Sequence, residues 1–245
     1  MNTVKNIFAR IWALWALVAF VVTFLLIFLP AMVSYLIKDK RKAQVYFIFI
    51  SKLWMDIWLP LAGCPVKVMG KNNFEKGKTY IVVFNHNALL DVPLSAPYVP
   101  GPSKTIAKAS FAKVPLFGWF YSKGSILVDR DKETSRIKSY EEMKRVLALG
   151  IHMSIYPEGT RNRTAEPLKQ FYDGAFKLAV DTKKDIIPCV IVGTKKAMPV
   201  HKAFYLLPVR LKMTFLPPVS ASQTTAKELK EKVFNLMKDY YVENS

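Results

Sequence analysis

The chain opens with a long apolar pattern in which no residue from Ile11 to Ile37 carries a charge. Only Thr23, Ser34 and Pro30 interrupt its aliphatic and aromatic side chains. A helix needs about 20 apolar residues to cross a bilayer, so this run predicts a membrane anchor. Because Pro30 could hinge the helix, two forms remain open: a full span, or a helical hairpin that enters one leaflet.

A second apolar stretch follows, from Val45 to Leu59, and it differs from the first in being broken by Lys52 and Asp56. These two residues are four positions apart and therefore share one face of a helix. The pattern predicts an amphipathic, interfacial helix, with Trp54 and Trp58 at the depth of the lipid headgroups.

After residue 62 the pattern changes to alternating strand-like and helix-like segments, which is typical of an α/β domain. The segments that predict buried strands or amphipathic helices are Tyr80–Phe84, Ser135–Leu149, His152–Tyr156, Ile186–Val192 and Thr225–Tyr241. The last of them opens with Thr225-x-x-Glu228, which predicts a capping box. We therefore expect an α/β fold: a mixed, largely parallel sheet flanked by helices, with an N-terminal hydrophobic helical membrane anchor. The expected domains are residues 1–62, the anchor, and residues 63–245, the α/β domain.

Polar residues stand where the Tyr80–Phe84 strand should end. The sequence Asn85-His86-Asn87 suits a turn, and Asp91, two residues before Pro93, predicts the N-cap of the next helix. On one unbroken helix His86 and Asp91 would lie roughly 140° apart, so only a turn lets the carboxylate reach the imidazole. An Asp bonded to one ring nitrogen leaves the other free to accept a proton from a substrate hydroxyl. Taken alone, this spacing also fits a histidine that only caps a turn.

A second polar cluster, Glu158-Gly159-Thr160-Arg161, follows the His152–Tyr156 strand in the same way. Ligand sites of α/β sheets collect at the carboxyl ends of strands. Arg161 offers a planar fork of donors that suits a phosphate, and Gly159 allows a close approach of the backbone. The alternative is an exposed turn with a solvated arginine.

Four motifs in order give the strongest indication of a family. They are Asn85-His86-x4-Asp91, Gly124-x-Ile126-x-Val128-Asp129-Arg130, Tyr156-Pro157-Glu158-Gly159-Thr160-Arg161 and Ile187-Pro188-x-Val190. Together they resemble the glycerolipid acyltransferases, and within them the bacterial 1-acyl-sn-glycerol-3-phosphate (lysophosphatidic acid) acyltransferases. The resemblance covers roughly residues 66–192. Lys108, ahead of Pro115-x-x-Gly118, looks like the family's basic residue near the acceptor phosphate.

The resemblance implies an enzyme that moves a fatty acyl group from a thioester to the sn-2 hydroxyl of lysophosphatidic acid. The product is phosphatidic acid, made in phospholipid biosynthesis. His86, oriented by Asp91, would deprotonate the hydroxyl, and Glu158 would orient the acceptor's glycerol. The residues implied in binding the acceptor are Glu158, Gly159, Thr160, Arg161, Arg130 and Lys108, of which Arg130, Arg161 and Lys108 would hold the phosphate.

No cofactor and no metal are implied, because the donor substrate is itself an activated thioester of coenzyme A or acyl carrier protein. The implied partners are a lysophospholipid acceptor, that donor and membrane lipids. The implied location is the bacterial inner membrane, with the catalytic domain on the cytoplasmic side. One position departs from the family pattern, since many relatives carry a basic residue where this chain has Asp173. This departure keeps open an acceptor of another kind, a lyso-aminolipid such as lyso-ornithine or an N-acyl amino acid.

The net charge is +18, from 36 basic and 18 acidic residues, and it favours an anionic partner. A membrane-bound nucleic-acid-binding protein is the alternative outside the enzymes. Because the basic residues are scattered and no nucleic-acid-binding motif is recognisable, we expect no nucleic acid. The two cysteines, Cys64 and Cys189, make neither a disulfide framework nor a zinc site.

Overall fold

The computed structural model describes residues 2–129 and 131–245, so Arg130, one of the expected phosphate ligands, lies outside the described residues. The helices are α1 (Asn2–Met32), α2 (Lys40–Leu61), α3 (Asp91–Ser95), α4 (Phe117–Gly124), α5 (Glu133–Ala148), α6 (Gly174–Thr182), α7 (Thr194–Ala197) and α8 (Ala226–Asn244). The strands are β1 (Val66–Met69), β2 (Ile81–Phe84), β3 (Ser103–Lys108), β4 (Ser125–Val128), β5 (His152–Ile155), β6 (Ile186–Val192) and β7 (Leu211–Phe215).

One sheet holds these strands in the order β1-β7-β6-β2-β5-β3-β4. Neighbouring strands are parallel except β6 and β7, which are antiparallel. The mixed, largely parallel sheet predicted from the sequence is therefore confirmed. Its five strands β6, β2, β5, β3 and β4 run the same way, so their carboxyl ends lie along one edge.

Helices cover both faces of the sheet, which explains why its central strands are apolar on both sides. Val82 and Phe84 of β2 belong to the core shared with α1 and α2. Ile81 and Val83 point the other way, into the core shared with α5, α6 and α8. The terminal helix α8 begins with the predicted capping box, in which Thr225 and Glu228 each bond the other's backbone N–H.

The two N-terminal helices form an antiparallel hairpin. The indole N–H of Trp58 donates to the carbonyl of Ala16 (2.9 Å), and that of Trp54 donates to Thr23 Oγ1 (2.9 Å). Both indoles are buried, and each N–H finds its partner inside the hairpin, so neither N–H is left for a lipid headgroup. The depth of Trp54 and Trp58 in a membrane stays a prediction. The outward face of α2 is an apolar stripe with a spacing of four, made by Val45, Phe49, Leu53, Ile57 and Leu61.

By length and composition, the first helix can cross a membrane. The stretch Thr3–Tyr35 spans 33 residues, and its most apolar window of 18 residues has a mean hydropathy of 2.8 and is 33% buried inside the protein. Pro30 does not end the helix, which continues to Met32. The exposed remainder is almost entirely aliphatic and aromatic, so α1 presents a long apolar surface on the outside of the domain.

Candidate active site

The topology brings the two polar clusters together. Strands β2 and β5 are parallel neighbours in which Val83 pairs with Ile155, so His86 and Glu158 both leave the sheet at the same edge. Lys108 ends β3, which is the next neighbour of β5. This is the edge at which ligand sites of α/β sheets form.

His86 and Asp91 are joined by the turn between β2 and α3. His86 Nδ1 lies 2.9 Å from Asp91 Oδ2, and the same oxygen accepts the backbone N–H groups of Asn87 (2.6 Å) and Ala88 (2.7 Å). The Asp91 carboxylate therefore bonds backward into the turn and does not cap its own helix, which corrects the N-cap expectation. The His86 side chain keeps 15% of its surface exposed while that of Asp91 is fully buried, so the Nε2 edge of the ring is the one available to a substrate.

The backbone just before His86 is fixed by a side chain that imitates a strand. The Asn85 amide donates to the carbonyl of Ile191 (2.9 Å) and accepts its N–H (2.7 Å). The pairing of β2 with β6 thereby extends one residue past the end of β2. The position of His86 follows from the sheet itself.

Glu158 holds the backbone of the histidine and is not open to a substrate. Its Oε1 accepts the N–H of His86 (2.8 Å), its Oε2 accepts the N–H of Lys169 (3.1 Å), and the residue is 0% exposed. Burial raises the pKa of this carboxyl to about 7, although the two N–H donors favour its charged form. The geometry does not support the expected contact with the acceptor's glycerol, since both oxygens face backbone groups.

Two further residues near the imidazole had no expected role. The ring of Tyr156 packs 4.5 Å from the His86 ring, and its hydroxyl donates to the carbonyl of Asp91 (2.8 Å) beside Ser95 Oγ (2.6 Å). The N–H of Asn162 donates to the carbonyl of His86 (2.7 Å). Tyr156 and Asn162 lie beside the Glu-Gly-Thr-Arg motif, and this is the only hint of a role that the sequence contains. Their hydrogen-bond acceptors, the carbonyls of Asp91 and His86, lie 65 and 76 positions earlier, so sequence spacing does not predict these bonds.

Three basic residues, Arg161, Lys169 and Lys108, lie at this edge of the sheet and are called the basic rim below. Arg161 is half-buried, and among the described residues no carboxylate pairs with its guanidinium. Gly159 has φ of 69°, a conformation that favours glycine and allows the loop to turn there. Thr160 is exposed, and its hydroxyl accepts a hydrogen bond from Lys169 Nζ (2.9 Å), a basic residue that the motifs did not indicate. Lys108 is exposed at the end of β3.

A largely apolar cavity of about 820 Å³ opens beside this rim. It lies between the helical hairpin of α1 and α2 and the turn that joins His86 to Asp91. Its wall includes Trp54, Leu90, Phe117, Arg161 and Phe204. Its size falls within the range of about 300–1,000 Å³ that is usual for ligand sites. A long apolar chain and an adjacent anionic group can therefore be accommodated together.

Three other residues with reactive or metal-binding side chains, His152, Cys64 and Cys189, are buried in structural surroundings. His152 is buried and accepts the N–H of Tyr80 at Nδ1 (3.0 Å), and burial lowers its pKa to about 4. Cys64 and Cys189 are buried free thiols whose pKa burial raises. In the described part of the chain, no group of three His, Cys, Asp or Glu side chains could hold a metal ion.

Asp173, the departure from the family pattern, has a partner elsewhere in the fold. Its carboxylate lies 2.6 Å from Lys230 Nζ on α8, and this contact lowers its pKa. The Asp173 carboxylate therefore forms an ion pair with the C-terminal helix α8. It gives no support to a cationic or neutral acceptor.

Known proteins match this arrangement at the level of sequence and of fold. The sequence model of a family described as Acyltransferase matches residues 65–192. The 1-acyl-sn-glycerol-3-phosphate acyltransferase of Saccharomyces cerevisiae is 34% identical over 55% of this chain and 45% of its own length. The alpha enzyme of the same name from Mus musculus is 30% identical over 69% of this chain and 60% of its own. Matches to relatives of this kind span about half to two thirds of the relatives' length.

The fold is also that of a solved structure. The 1-acyl-sn-glycerophosphate (LPA) acyltransferase PlsC from Thermotoga maritima superposes with a TM-score of 0.80, covering 99% of this chain and 97% of that one, at 23% identity. The similarity includes the N-terminal hairpin as well as the sheet, since nearly the whole chain is covered. Because the family's sequence pattern extends over residues 65–192, more than half of the chain, the chain belongs to the Acyltransferase family.

Proposed function

We propose that this protein transfers a fatty acyl group from an acyl thioester to the sn-2 hydroxyl of lysophosphatidic acid and so forms phosphatidic acid. The observation that carries the proposal is the His86–Asp91 contact, to which the Arg161 loop is bonded through the N–H of Asn162 and the carbonyl of His86. Arg161 and Leu90 of the His86–Asp91 turn line the same apolar cavity. The names of the relatives agree with this reaction.

The geometry supports direct transfer with no covalent enzyme intermediate. Asp91 fixes the proton of His86 on Nδ1, so Nε2 can accept the proton of the acceptor hydroxyl. The hydroxyl oxygen attacks the thioester carbonyl, the tetrahedral intermediate then breaks its C–S bond, and the imidazolium returns the proton to the leaving thiolate. An ester and a free thiol result, and the balance needs no metal or redox cofactor. Both cysteines are buried, which leaves them unsuited to carry the acyl group.

The charged and apolar groups around His86 and Asp91 indicate where the two ends of the acceptor bind. Arg161 and Lys108 bind its phosphate, together with Arg130, which follows Asp129 in the sequence and lies outside the described residues. Gly159 and Thr160 form the turn that presents Arg161, while Glu158 acts on His86 through the backbone. The apolar cavity takes an acyl chain.

The exposed apolar faces of α1 and α2 support a location at a membrane, where lysolipid acceptors partition. The donor, a thioester of coenzyme A or acyl carrier protein, is made in the cytoplasm. We therefore assign the catalytic domain to the cytoplasmic side of a bacterial inner membrane.

The test is an acyl-transfer assay with purified full-length protein in mixed micelles. It offers lysophosphatidic acid, lysophosphatidylcholine and lyso-ornithine lipid as acceptors, each with acyl-coenzyme A and with acyl carrier protein thioester. Preference for lysophosphatidic acid supports the proposal, and the donor series identifies the thioester used. Transfer to lyso-ornithine lipid in preference to the phosphate-bearing acceptor would overturn it.

A further inference from the structure

The segment of residues 109–124, between β3 and β4, displays an unusual set of apolar side chains. Phe111, Val114, Leu116 and Trp119 are exposed by 41%, 45%, 42% and 63% respectively. Elsewhere outside residues 2–61, the large exposed apolar residues in the described part of the chain stand singly or line the cavity, as Leu89 and Phe204 do. Isolated exposed apolar residues are normal in soluble proteins, but a contiguous cluster marks a surface that contacts something.

The outward direction of these side chains is built into the segment. The N–H of Gly118 bonds the carbonyl of Val114 (2.7 Å), and a Cβ at Gly118 would lie 2.1 Å from the carbonyl oxygen of Ala112. Leu116 has φ of 58°, which leucine rarely adopts. The turn thus closes tightly on itself and leaves the apolar groups facing out.

This surface is continuous with the apolar face of α1. The Trp119 ring stacks on Phe28 with centroids 6.3 Å apart, and its carbonyl accepts the hydroxyl of Tyr35 (2.8 Å). Lys123 Nζ donates to the carbonyl of Ser34 (2.8 Å), just beyond the end of α1. The segment and the first helix therefore present one joined apolar surface.

The positive charge of this part of the chain indicates what the apolar surface contacts. Between Val92 and Val128 the sequence has four lysines and no acidic residue, so every charge carried by the segment and by its flanking strands β3 and β4 is positive. An apolar patch with a basic border fits the interface of an anionic bilayer. Phe111, Phe117 and Phe120 of the segment also line the cavity, which places the cavity wall next to that interface.

We propose that residues 109–124 form a second membrane-contact element, which inserts Val114, Leu116 and Trp119 into an anionic phospholipid surface next to α1. The inference rests on the membrane location proposed above. In this proposal the catalytic domain itself contacts the membrane through residues 109–124. This contact holds the cavity next to the lipid surface.

The test measures the depth of spin labels in the full-length protein, reconstituted into vesicles of phosphatidylglycerol and phosphatidylcholine. Labels are placed by Trp119→Cys and Val114→Cys, with Ile137→Cys on α5 as the matched control. Ile137 is 58% exposed on the helix layer covering the opposite face of the sheet. Since both native cysteines are buried, labelling is specific. Two sites on the segment guard against a local effect of losing the indole.

We expect labels at 114 and 119 to be accessible to oxygen and at least 5-fold less accessible to a water-soluble nickel chelate than the label at 137. Lys113→Glu should reduce that protection, because it reverses a border charge. Equal nickel access at 114, 119 and 137 in vesicle-bound protein overturns this inference alone. Protection that appears only at high protein-to-lipid ratio assigns the surface to a second copy of the chain and also overturns it. Protein that does not remain on the vesicles overturns the membrane location as a whole.

Discussion

The carboxylate of Glu158 accepts the backbone N–H of His86 at 2.8 Å, across the boundary between two parallel strands. The motif that carries Arg161 thus also positions the proposed general base. His86 is held from the other side as well, since its carbonyl accepts the N–H of Asn162 (2.7 Å). The two motifs of the family act as one unit: the second motif sets the backbone of the first.

This arrangement predicts how Glu158→Gln behaves. The amide NH₂ must face one of the two backbone N–H donors, so one hydrogen bond to a charged acceptor is lost, worth about 1.5–3 kcal/mol. If half of that loss reaches the transition state, kcat falls about 4- to 13-fold. The apparent KM for lysophosphatidic acid should change less than about 3-fold.

Steady-state kinetics in mixed micelles measure both constants. Glu166→Gln serves as the control, because Glu166 is an exposed carboxylate of the same loop. A large rise in acceptor KM with unchanged kcat for Glu158→Gln would show that this residue binds the acceptor directly.

Tyr156 should act through its hydroxyl on the helix that carries Asp91. Tyr156→Phe keeps the ring against His86 and removes the hydroxyl bond to the Asp91 carbonyl, a neutral interaction of about 1 kcal/mol. We expect kcat to fall about 5-fold with acceptor KM unchanged. Tyr140→Phe, which removes a hydroxyl bond to Asp181 on the surface, is the control and should leave kcat as it is. Equal kcat values for the two variants would contradict a positioning role.

Arg161 should act on the phosphate of the acceptor. Arg161→Ala is expected to raise the apparent KM for lysophosphatidic acid at least 10-fold and to leave the KM for the donor thioester within 2-fold. Arg161→Lys should recover part of this, because a point charge replaces a bidentate fork. Lysophosphatidylcholine used by the same enzyme provides the comparison, and an equal KM rise for that acceptor would argue against phosphate recognition.

Much of the fold follows from local pattern, and the strand limits show it. The apolar runs predicted β2, β5 and β6 to within about a residue of their observed bounds, and the Thr225–Glu228 capping box marked the start of α8. Local pattern also brought His86 and Asp91 within reach, since only the turn after β2 allows the contact.

Pairing between distant segments could not be predicted. The N–H groups of Trp54 and Trp58 find partners 31 and 42 positions earlier, on α1, so the pattern of α2 did not predict that these indoles would be buried. Glu158 has a charged side chain in a substrate-binding motif, and only its burial against His86, 72 positions earlier, reveals a backbone role. In each case a polar group is satisfied by a partner that sequence spacing does not identify.

His152 should make the protein less stable in acid. Burial lowers its pKa to about 4 in the folded protein from the ordinary value of 6.5, which the unfolded chain retains, so the unfolded chain binds the extra proton first as the pH falls. Its contribution to stability is present above pH 6.5 and is lost as the pH falls toward 4, by about 3 kcal/mol at most.

His152→Asn tests this, because an amide oxygen can still accept the N–H of Tyr80 and does not titrate. Denaturant unfolding of both proteins at about pH 7 and about pH 4.5 gives the free energy of unfolding at each pH. The loss between the two pH values should be smaller for the variant. An equal loss in the two proteins would assign the acid sensitivity to other groups.

His86 and Asp91 form the proposed catalytic pair. Asp91 Oδ2 holds the imidazole and two backbone N–H groups, so Asp91→Asn disturbs the ring tautomer as well as the turn. We expect acyl transfer to fall roughly 10²–10⁴-fold, in line with other misoriented bases. Circular dichroism confirms that the variant is folded, and rates equal to those of the unaltered protein would remove Asp91 from the mechanism.

The most direct measurement is the rate of acyl transfer to lysophosphatidic acid by purified His86→Ala, beside the unaltered protein. The ring keeps its Nε2 edge toward solvent, so its removal should leave the far-UV circular dichroism and the unfolding transition in place. We predict that transfer falls to the rate seen without enzyme, with acceptor binding retained. Transfer by folded His86→Ala at close to the unaltered rate would contradict the assignment of His86 as the general base.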